Sequence, residues 1–247
     1  MSGSPRTLVI VATYNERENL PRLVEEVFRH APQVELLVID DDSPDGTGDW
    51  CDEFTRQEPR FHCLHRAGKL GLGTAVLAGL AAAQERGFEL VVNMDADFSH
   101  PPSALPQLLA KLQEDVSPPI DVVIGSRYVA GGRIENWSWS RRMLSRAVNA
   151  YARIWLKLPV RDCSGGYRAF RVACLRRLDP SRVRARGYAF FEEHLWHLQR
   201  IGARFAETPI VFEDRRAGDS KVNLREAFSA LWFLLCLGFR ARWSKRT

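Results

Sequence analysis

The chain has 247 residues, of which 45% are hydrophobic and 26% are charged, and its formal net charge is +5. This composition excludes a disordered chain, and the length suits one large α/β domain or two small domains. The charge is uneven, because residues 1–120 hold 10 Lys and Arg against 19 Asp and Glu, whereas residues 121–247 hold 25 against 11. The acidic half predicts a metal site, and the basic half predicts contact with a polyanion or an anionic surface.

The first half alternates between apolar runs and amphipathic segments. The runs predict buried strands, and the segments between them predict helices. We place strands at residues 7–12, 35–40, 61–65, 88–94 and 121–125, and helices at 20–28, 48–57, 71–83 and 101–114. This alternation predicts an α/β fold with a doubly wound, mainly parallel sheet, in which ligands bind beyond the carboxyl ends of the strands.

Two carboxylates follow the apolar run 88–94. Asp95 and Asp97 are separated by one residue, so they point the same way from an extended chain and repel each other unless a cation lies between them. Mg²⁺ and Mn²⁺ take oxygen ligands and keep other positions for water or substrate phosphates. Further acidic clusters, at residues 13–16 and 40–45, also fall at strand ends. The sequence therefore predicts a Mg²⁺ or Mn²⁺ site that holds a diphosphate.

The second half contains two segments of a different kind. Residues 137–158 predict an amphipathic helix with two tryptophans at its start and basic residues on one face. Residues 227–239 are almost wholly apolar and precede a basic terminus. Both an ordinary surface helix and a helix in a membrane interface fit residues 137–158, and the tail favours the interface. We therefore predict a domain over residues 1–226, including the helix, and a membrane-interface tail over 227–247.

The cysteines and the ends of the chain bear on the compartment. Five cysteines, an odd number without Cys-x-x-Cys spacing, predict reduced thiols and no zinc site. The N-terminus leads into a strand without the pattern of a signal peptide. No apolar run reaches the roughly 18 residues of a membrane-spanning helix. We expect a cytoplasmic protein, peripheral on the cytoplasmic face of a membrane.

Five motifs occur together in one order along the chain: Ala12-Thr-Tyr-Asn-Glu16, Asp40-Asp-Asp-Ser-Pro-Asp-Gly-Thr47, Lys69-Leu-Gly-Leu-Gly-Thr-Ala75, Asp95-Ala-Asp-Phe-Ser-His100 and Gly125-Ser-Arg-Tyr128. In this order they resemble family 2 glycosyltransferases of the GT-A fold, and among them the dolichol-phosphate (polyprenol-phosphate) mannose synthases. The pair Arg141 and Ser145, the segment 187–188 and residues 212–221 match as well, so the resemblance covers roughly residues 7–225. Family members often have Pro where Ala12 stands, and some have Gln as a metal ligand where Ser99 stands, which leaves the third ligand open.

The resemblance implies transfer of mannose from GDP-mannose to a polyprenyl (dolichyl) phosphate with inversion, by a dolichyl-phosphate β-D-mannosyltransferase that uses Mg²⁺ or Mn²⁺. The donor site then comprises Ala12, Tyr14, Glu16, Asp40, Asp42, Lys69, Asp95 and Ala96. The metal ligands are Asp95, Asp97 and Ser99. The acceptor phosphate is held by Arg127, Arg141, Ser145, Arg215 and Lys221. Catalysis is assigned to Asp97, Arg127, Arg141 and Arg215. Because the acceptor phosphate is already ionised at neutral pH, no general base is required. Some relatives carry transmembrane helices or depend on a membrane subunit, so a partner subunit stays open here.

Three other interpretations compete with this one. A dinucleotide-binding dehydrogenase is disfavoured because Val76 stands where the glycine fingerprint needs its third Gly. A non-enzymatic module that binds nucleic acid or a membrane through its basic half gives no reason for three acidic strand ends, so no nucleic acid is expected. A UDP-glucose-dependent polyprenyl-phosphate glucosyltransferase stays open, because the base pocket is not readable from the sequence.

Overall fold

The computed structural model describes residues 4–185, 187, 189–214 and 232–239 of the chain. Its strands are β1 (Thr7–Thr13), β2 (Glu35–Asp40), β3 (Phe61–His65), β4 (Leu90–Asp95), β5 (Val122–Ser126), β6 (Arg133–Ile134), β7 (Arg168–Arg171), β8 (Phe205–Pro209) and β9 (Val211–Phe212). The helices are α1 (Leu20–His30), α2 (Thr47–Thr55), α3 (Leu72–Glu85), α4 (Leu105–Leu112), α5 (Trp139–Leu156), α6 (Val172–Leu175) and α7 (Phe190–Arg200). Residues 232–239 are also helical and are called the tail helix below.

Seven strands form one sheet in the order β3-β2-β1-β4-β7-β5-β8. All neighbouring pairs are parallel except those of β7, which runs antiparallel to both β4 and β5. A separate parallel pair joins β6 to β9. The doubly wound, mainly parallel sheet predicted from the sequence is therefore confirmed.

Helices cover both faces of the sheet. Alternate residues of β1 point to opposite faces, so Leu8 and Ile10 join one core and Val9 and Val11 join the other. Helices α1 and α4 pack on the second face, where Leu23 and Leu108 are fully buried. Helices α3 and α7, together with one side of α5, pack on the first. Burial on both sides explains why the strands are continuous apolar runs.

Helix α5 buries only part of the apolar face that the sequence predicts, since Tyr151 and Trp155 pack against the core. Its buried residues are Asn149, Ala152 and Leu156, whereas Leu144 and Ile154 of the predicted apolar face are 54% and 74% exposed. The helix therefore has a buried side, a basic stripe of Arg142, Arg146 and Arg153, and an outward apolar stripe that includes Met143 and Ile154. An ordinary surface helix would bury its apolar stripe against the sheet, so this orientation favours the interface interpretation.

The tail helix packs against α5 and the core. Leu234 and Leu237 are 1% and 7% exposed, and the indole Nε1 of Trp155 donates a hydrogen bond to the carbonyl of Leu235 at 3.1 Å. The same helix leaves Trp232 and Phe239 more than half exposed. The tail therefore contributes to the packing of the predicted domain and also presents apolar side chains outwards.

Candidate active site

The register of the parallel strands gathers the acidic motifs at one edge of the sheet. Asp95 at the end of β4 lies beside Ala12 of β1, and Thr13 of β1 lies beside Asp40 of β2. Three strand ends thus open into the same crevice, as expected at the carboxyl edge of a parallel sheet. The sequence prediction that the acidic clusters at 13–16, 40–45 and 95–97 fall at strand ends is confirmed, and these pairings place the three ends side by side.

Asp40 is a structural carboxylate as well as a predicted donor contact. It is 1% exposed and accepts hydrogen bonds from the Thr13 hydroxyl at 3.1 Å, the Ser43 hydroxyl at 2.6 Å and the Ser43 N–H at 3.1 Å. These bonds occupy most of its acceptor capacity. Its neighbour Asp42 is exposed and has a φ of 59°, which turns the chain sharply. Asp42 is therefore the more accessible of the two predicted donor carboxylates.

Asp41 has a cationic partner that the sequence did not reveal. The guanidinium Nη1 of Arg66 lies 3.1 Å from its Oδ1, although the two atoms lack hydrogen-bond geometry, so the contact is chiefly electrostatic. Burial raises the pKa of Asp41, and the charge of Arg66 opposes that rise. Arg66 also donates to the Thr74 hydroxyl at 2.6 Å. It thereby fixes the loop carrying Lys69 against the β2 end of the crevice.

The loop after β1 is held by side chains from the loop after β2. The backbone N–H groups of Asn15, Glu16 and Arg17 donate to Ser43, Thr47 and Asp45 respectively, at 3.0–3.2 Å. Burial opposes ionisation of Asp45, but hydrogen bonds from Thr47 and the Arg17 N–H outweigh it and leave its pKa below the usual value. This bracing holds the loop of the predicted donor residues in one shape.

Two predicted donor residues meet at the rim. The ammonium of Lys69 lies 4.1 Å from the centre of the Tyr14 ring, and Tyr14 is 36% exposed. A cation over an aromatic face is attracted by the ring quadrupole. Glu16 accepts from the Asn19 amide at 2.8 Å and lies in the same loop. The geometry brings Tyr14, Glu16 and Lys69 to the side of the crevice where β1 and β2 end.

The Asp-x-Asp turn is fixed by its own residues. The Asp97 carboxylate accepts from the Ser99 N–H at 3.1 Å, and Phe98 between them has a φ of 63°. The Asp95 N–H donates to Nδ1 of His100 at 2.9 Å. His100 therefore carries its proton on Nε2 when neutral, and that nitrogen lies 3.7 Å from the Asp95 carboxylate. His100 is 1% exposed and stacks on Tyr167, so it holds Asp95 in place from the buried side of the turn.

The residues present fit a hard divalent cation. Asp95 keeps 34% of its side chain exposed, while Asp97 is 7% exposed. Among the residues that the structure describes, no group of three or more His, Cys, Asp and Glu side chains is arranged to hold a metal. The protein supplies two carboxylates, a donor set suited to an ion that takes its other ligands from water and phosphates. Ser99 is 2% exposed, and its role as a third ligand stays a prediction.

Arg127 is buried against an aspartate that the sequence did not single out. Its Nε and Nη2 donate to the two oxygens of Asp162, both at 2.7 Å, and Nη2 also donates to Ser164 at 2.9 Å. Burial opposes ionisation of both partners, but the pair outweighs it, so the pKa of Asp162 is lowered and that of Arg127 is raised. Three of the five N–H donors of the guanidinium are thereby used, and the two of Nη1 remain for a ligand.

Ser145 is oriented by the neighbour of Arg127. The Tyr128 hydroxyl donates to Ser145 Oγ at 2.7 Å. Burial raises the pKa of Tyr128, so this hydroxyl keeps its proton at neutral pH. Because Ser145 Oγ accepts that bond, its own proton is available for another acceptor. The sequence predicted Ser145 as a phosphate ligand but missed Tyr128 behind it.

Asn149 connects these groups from the core side of α5. Its amide donates to the Ser145 carbonyl at 2.9 Å and to Ser164 Oγ at 3.0 Å, and its oxygen accepts from the N–H groups of Cys163 and Ser164. All its polar atoms are thus satisfied although it is 3% exposed. A polar residue at the helical spacing of Ala152 and Leu156 was the signal in the sequence that could have revealed it.

Arg141 lies at the start of α5 and faces the strand pair β6–β9. It donates to Asp214 at 2.7 Å, and its guanidinium carbon lies 4.0 Å from the centre of the Trp137 ring. Asp214 immediately precedes Arg215 in the chain. Arg215, Lys221 and Tyr188 themselves lie outside the described residues. The structure therefore brings Arg127, Arg141 and Ser145 to the α5 side of the molecule, and Arg215 and Lys221 stay predictions.

A sequence comparison now defines the class of the protein. The profile of Glycosyl transferase family 2 matches residues 8–179, and the chain belongs to this family. Over 226 residues it is 46% identical to polyprenol monophosphomannose synthase of Mycolicibacterium smegmatis, covering 90% of this chain and 84% of that protein. Over 238 residues it is 42% identical to undecaprenyl-phosphate mannosyltransferase of Micrococcus luteus, covering 96% of each chain.

Solved structures agree on the fold. Glucosyl-3-phosphoglycerate synthase from Mycobacterium tuberculosis, in complex with Mn²⁺, UDP and glucosyl-3-phosphoglycerate, superposes with a TM-score of 0.67 at 20% identity, covering 96% of this chain and 80% of that one. The mannosyltransferase PcManGT from Pyrobaculum calidifontis, in complex with GDP-Man and Mn²⁺, gives a TM-score of 0.58 at 18% identity, covering 89% and 59%. The expected GT-A architecture is confirmed at this level of likeness.

Proposed function

We propose that this glycosyltransferase moves mannose from GDP-mannose to a polyprenyl phosphate and releases polyprenyl-phosphate mannose and GDP. The observation that carries the proposal is the identity of 46% and 42%, over most of the chain, to two proteins named for this kind of transfer. The site chemistry agrees, because one edge of the sheet offers carboxylates for a metal-bound diphosphate and α5 offers arginines and a hydroxyl for a phosphate.

The reaction divides between the two sides of the crevice. Asp95 and Asp97 would hold a divalent cation, which neutralises the diphosphate of the leaving GDP when bound. Nη1 of Arg127, the guanidinium of Arg141 and the hydroxyl of Ser145 would hold the acceptor phosphate in line with the anomeric carbon. A phosphate oxygen then forms the bond to that carbon on the face opposite the bond that breaks. The anomeric configuration is inverted, and the electron pair leaves with GDP.

The reaction needs no general base, because the acceptor phosphate is ionised at neutral pH. Among the described carboxylic acids, Glu192 has a pKa suited to a base at neutral pH, since burial raises its pKa to about 7. Glu192 belongs to α7 and is only 2% exposed. A carboxyl so deeply buried is out of reach of a substrate, and we assign it no contact with one.

We also propose that the protein attaches to the cytoplasmic face of a membrane as a peripheral protein. Large apolar side chains on α5 and the tail helix are exposed: Trp139 76%, Ile154 74%, Trp232 69%, Phe239 56%, Leu144 54% and Met143 43%. A contiguous apolar surface with a basic flank is typical of a helix lying in a bilayer interface. None of the described helices is long and apolar enough to cross a membrane. The acceptor lipid would then reach the crevice from this surface.

The donor and acceptor are tested by one panel of reactions. The protein is incubated with radiolabelled GDP-mannose, GDP-glucose, UDP-glucose or UDP-mannose and a polyprenyl phosphate, and the lipid phase is extracted. We expect label in the lipid from GDP-mannose, and none when an uncharged polyprenol replaces the phosphate. Transfer from UDP-glucose but not from GDP-mannose would contradict the proposal and favour the glucosyltransferase alternative.

A further inference from the structure

A groove of about 450 Å³ lies between α5 and the loop after β5. Four arginines line it: Arg127, Arg146, Arg153 and Arg161. The charge of Arg127 is neutralised by Asp162. The other three side chains are exposed, and among the described residues none of them forms an ion pair. The groove is therefore a concave surface with three uncompensated positive charges.

This groove shares Arg127 with the predicted acceptor clamp and differs from it in the other residues that line it. Arg141 and Ser145 do not line it, because on a helix of about 3.6 residues per turn they lie on a different stripe from Arg146 and Arg153. Arg141 is instead engaged with Asp214. An anion held by Arg146, Arg153 and Arg161 would thus leave Arg141 and Ser145 free for the acceptor. Guanidinium groups converging on one concavity repel each other and favour a phosphate, whose oxygens accept their paired N–H donors.

The groove adjoins the apolar stripe of α5. Each arginine of the basic stripe is followed in sequence by an apolar residue: Arg142 by Met143, Arg146 by Ala147 and Arg153 by Ile154. One residue corresponds to a rotation of about 100° around a helix, so the two stripes lie side by side on the exposed surface. Cations beside an apolar stripe match the boundary of a bilayer, where lipid phosphates lie above the acyl chains.

We propose that the groove of Arg146, Arg153 and Arg161 binds the phosphate head group of an anionic membrane phospholipid. The bound lipid would hold α5 at a fixed depth and rotation, with Met143 and Ile154 in the apolar layer and the acceptor clamp facing the adjoining lipid. The head group is a ligand of the enzyme in addition to its acceptor. This proposal rests on the peripheral membrane attachment proposed above.

The test compares two triple variants of equal charge. The groove variant carries Arg146→Gln, Arg153→Gln and Arg161→Gln, and the control carries Arg56→Gln, Arg86→Gln and Arg176→Gln, three exposed arginines away from α5. Each protein is sedimented with vesicles of phosphatidylcholine alone or mixed with phosphatidylglycerol. A basic residue at an anionic surface contributes about fivefold to affinity, so the groove variant should lose about a hundredfold on mixed vesicles. It should bind phosphatidylcholine as the wild type does, and the control should keep most of its affinity for mixed vesicles.

Further measurements separate this proposal from those on which it rests. Transfer to a water-soluble, short-chain polyprenyl phosphate without vesicles should be the same in the groove variant and the control. Equal affinity of both variants for mixed vesicles would overturn the groove proposal alone, whereas a wild type that binds no vesicles would overturn membrane attachment as well. Calorimetry with inorganic phosphate distinguishes a site for free phosphate: heat lost in the groove variant without a change in vesicle affinity would also overturn the proposal.

Discussion

The Asp97 side chain carries a negative charge and also accepts a hydrogen bond within the turn. A substitution can remove the charge and keep the hydrogen bond. Asp97→Asn keeps the oxygen that accepts from Ser99 but removes the negative charge. We expect turnover to fall at least about a hundredfold, a loss typical when metal support is weakened. The turn should survive, so the thermal midpoint should change little. Asp49→Asn, an exposed carboxylate on α2, is the control and should be fully active. Undiminished activity of the Asp97 variant, or of the wild type in EDTA, would contradict the metal role.

Tyr128 is expected to act on the acceptor through Ser145. Tyr128→Phe removes the donor to Ser145 Oγ, which leaves the serine hydroxyl free to rotate. A hydrogen bond of this kind is worth about 1 kcal/mol, so KM for polyprenyl phosphate should rise about fivefold while kcat and GDP affinity stay close to wild type. A double-mutant cycle tests the route: Tyr128→Phe with Ser145→Ala should lose no more than Ser145→Ala alone. Additive losses would show that Tyr128 acts independently of Ser145.

The sequence reveals residues of this site only where the relevant neighbours are close in the chain. Asp95 and Asp97 are two residues apart at a strand end, so their common direction follows from local geometry. Arg127 and Asp162 are 35 residues apart, and their pairing depends on how β5 meets the loop before β7. The sequence predicted Arg127 as a phosphate ligand, but only the fold reveals that most of its donors are already engaged.

Helix α7 carries buried ionisable groups, among them Glu192 and His194, and packs beside the buried Arg168 of β7. Arg168 is fully buried and donates to the carbonyls of Cys163, Gly165 and Phe191, and burial lowers its pKa to about 10. Glu192 lies within its field, and burial raises the pKa of this carboxyl to about 7. The native state therefore holds a proton on Glu192 that the unfolded state loses at lower pH, so this group costs stability as pH rises from the unfolded value towards 7.

Glu192→Gln should remove that cost, since glutamine resembles the protonated acid. The free energy of unfolding should rise at pH 8 by about 2–3 kcal/mol and change little at pH 5. Urea denaturation at the two pH values measures the difference. His194 is a second pH-dependent group, because burial lowers its pKa to about 3, and it destabilises the fold only as pH falls. A gain from Glu192→Gln that is equal at both pH values would exclude titration of Glu192 as its cause.

The exposed apolar stripe of α5 leads to a prediction about attachment. Trp139→Ser and Ile154→Ser replace side chains that are 76% and 74% exposed, so the fold should keep its stability. Loss of each apolar anchor should weaken binding to neutral vesicles on the order of tenfold. Val116→Ser, at 38% exposure outside α5, is the control and should bind as the wild type does. Unchanged sedimentation of the α5 variants would exclude this stripe from the membrane contact. Point variants are preferable to deleting residues 227–247, because Leu234 and Leu237 belong to the core.

For the molecule as a whole, the sequence predicts the first half of the sheet and not the second. Strands β1, β2, β4 and β5 are mainly apolar runs separated by helices, so their existence and parallel direction follow from local pattern, whereas β3 is a more polar segment. The remaining large-sheet strands include polar residues: β7 begins and ends with arginine, and four of the five residues of β8 are only partly buried. Insertion of β7 antiparallel between β4 and β5 depends on contacts distant in sequence. The orientation of α5 escaped prediction for the same reason, since two of its faces are apolar enough to be buried.

The division of charge along the chain separates two groups of predicted site residues. The acidic strand ends of β1, β2 and β4 come from the first half of the chain, and Arg127, Arg141 and Ser145 come from the second. Because the predicted donor and acceptor contacts lie on separate elements, neutralising an arginine of α5 should affect one substrate more than the other.

Arg141→Ala tests this separation. Charged hydrogen bonds are worth roughly 1.5–3 kcal/mol, so transfer to lipid should fall about tenfold to over a hundredfold. Calorimetry with GDP and Mn²⁺ should give an affinity close to wild type. Arg141→Lys should recover only part of the activity, because it restores charge without the planar fork. Arg142→Ala, the adjacent exposed arginine, is the matched control for charge.

The pair of Arg141 with Asp214 requires a second variant, because loss of that pair alone could alter the loop before Arg215. Asp214→Asn keeps Arg141 and weakens the pair, so it should cost much less transfer than Arg141→Ala. Equal losses in the two variants would assign Arg141 a structural role. A loss of GDP affinity in step with activity would place Arg141 on the donor side instead and contradict the separation of the two substrates.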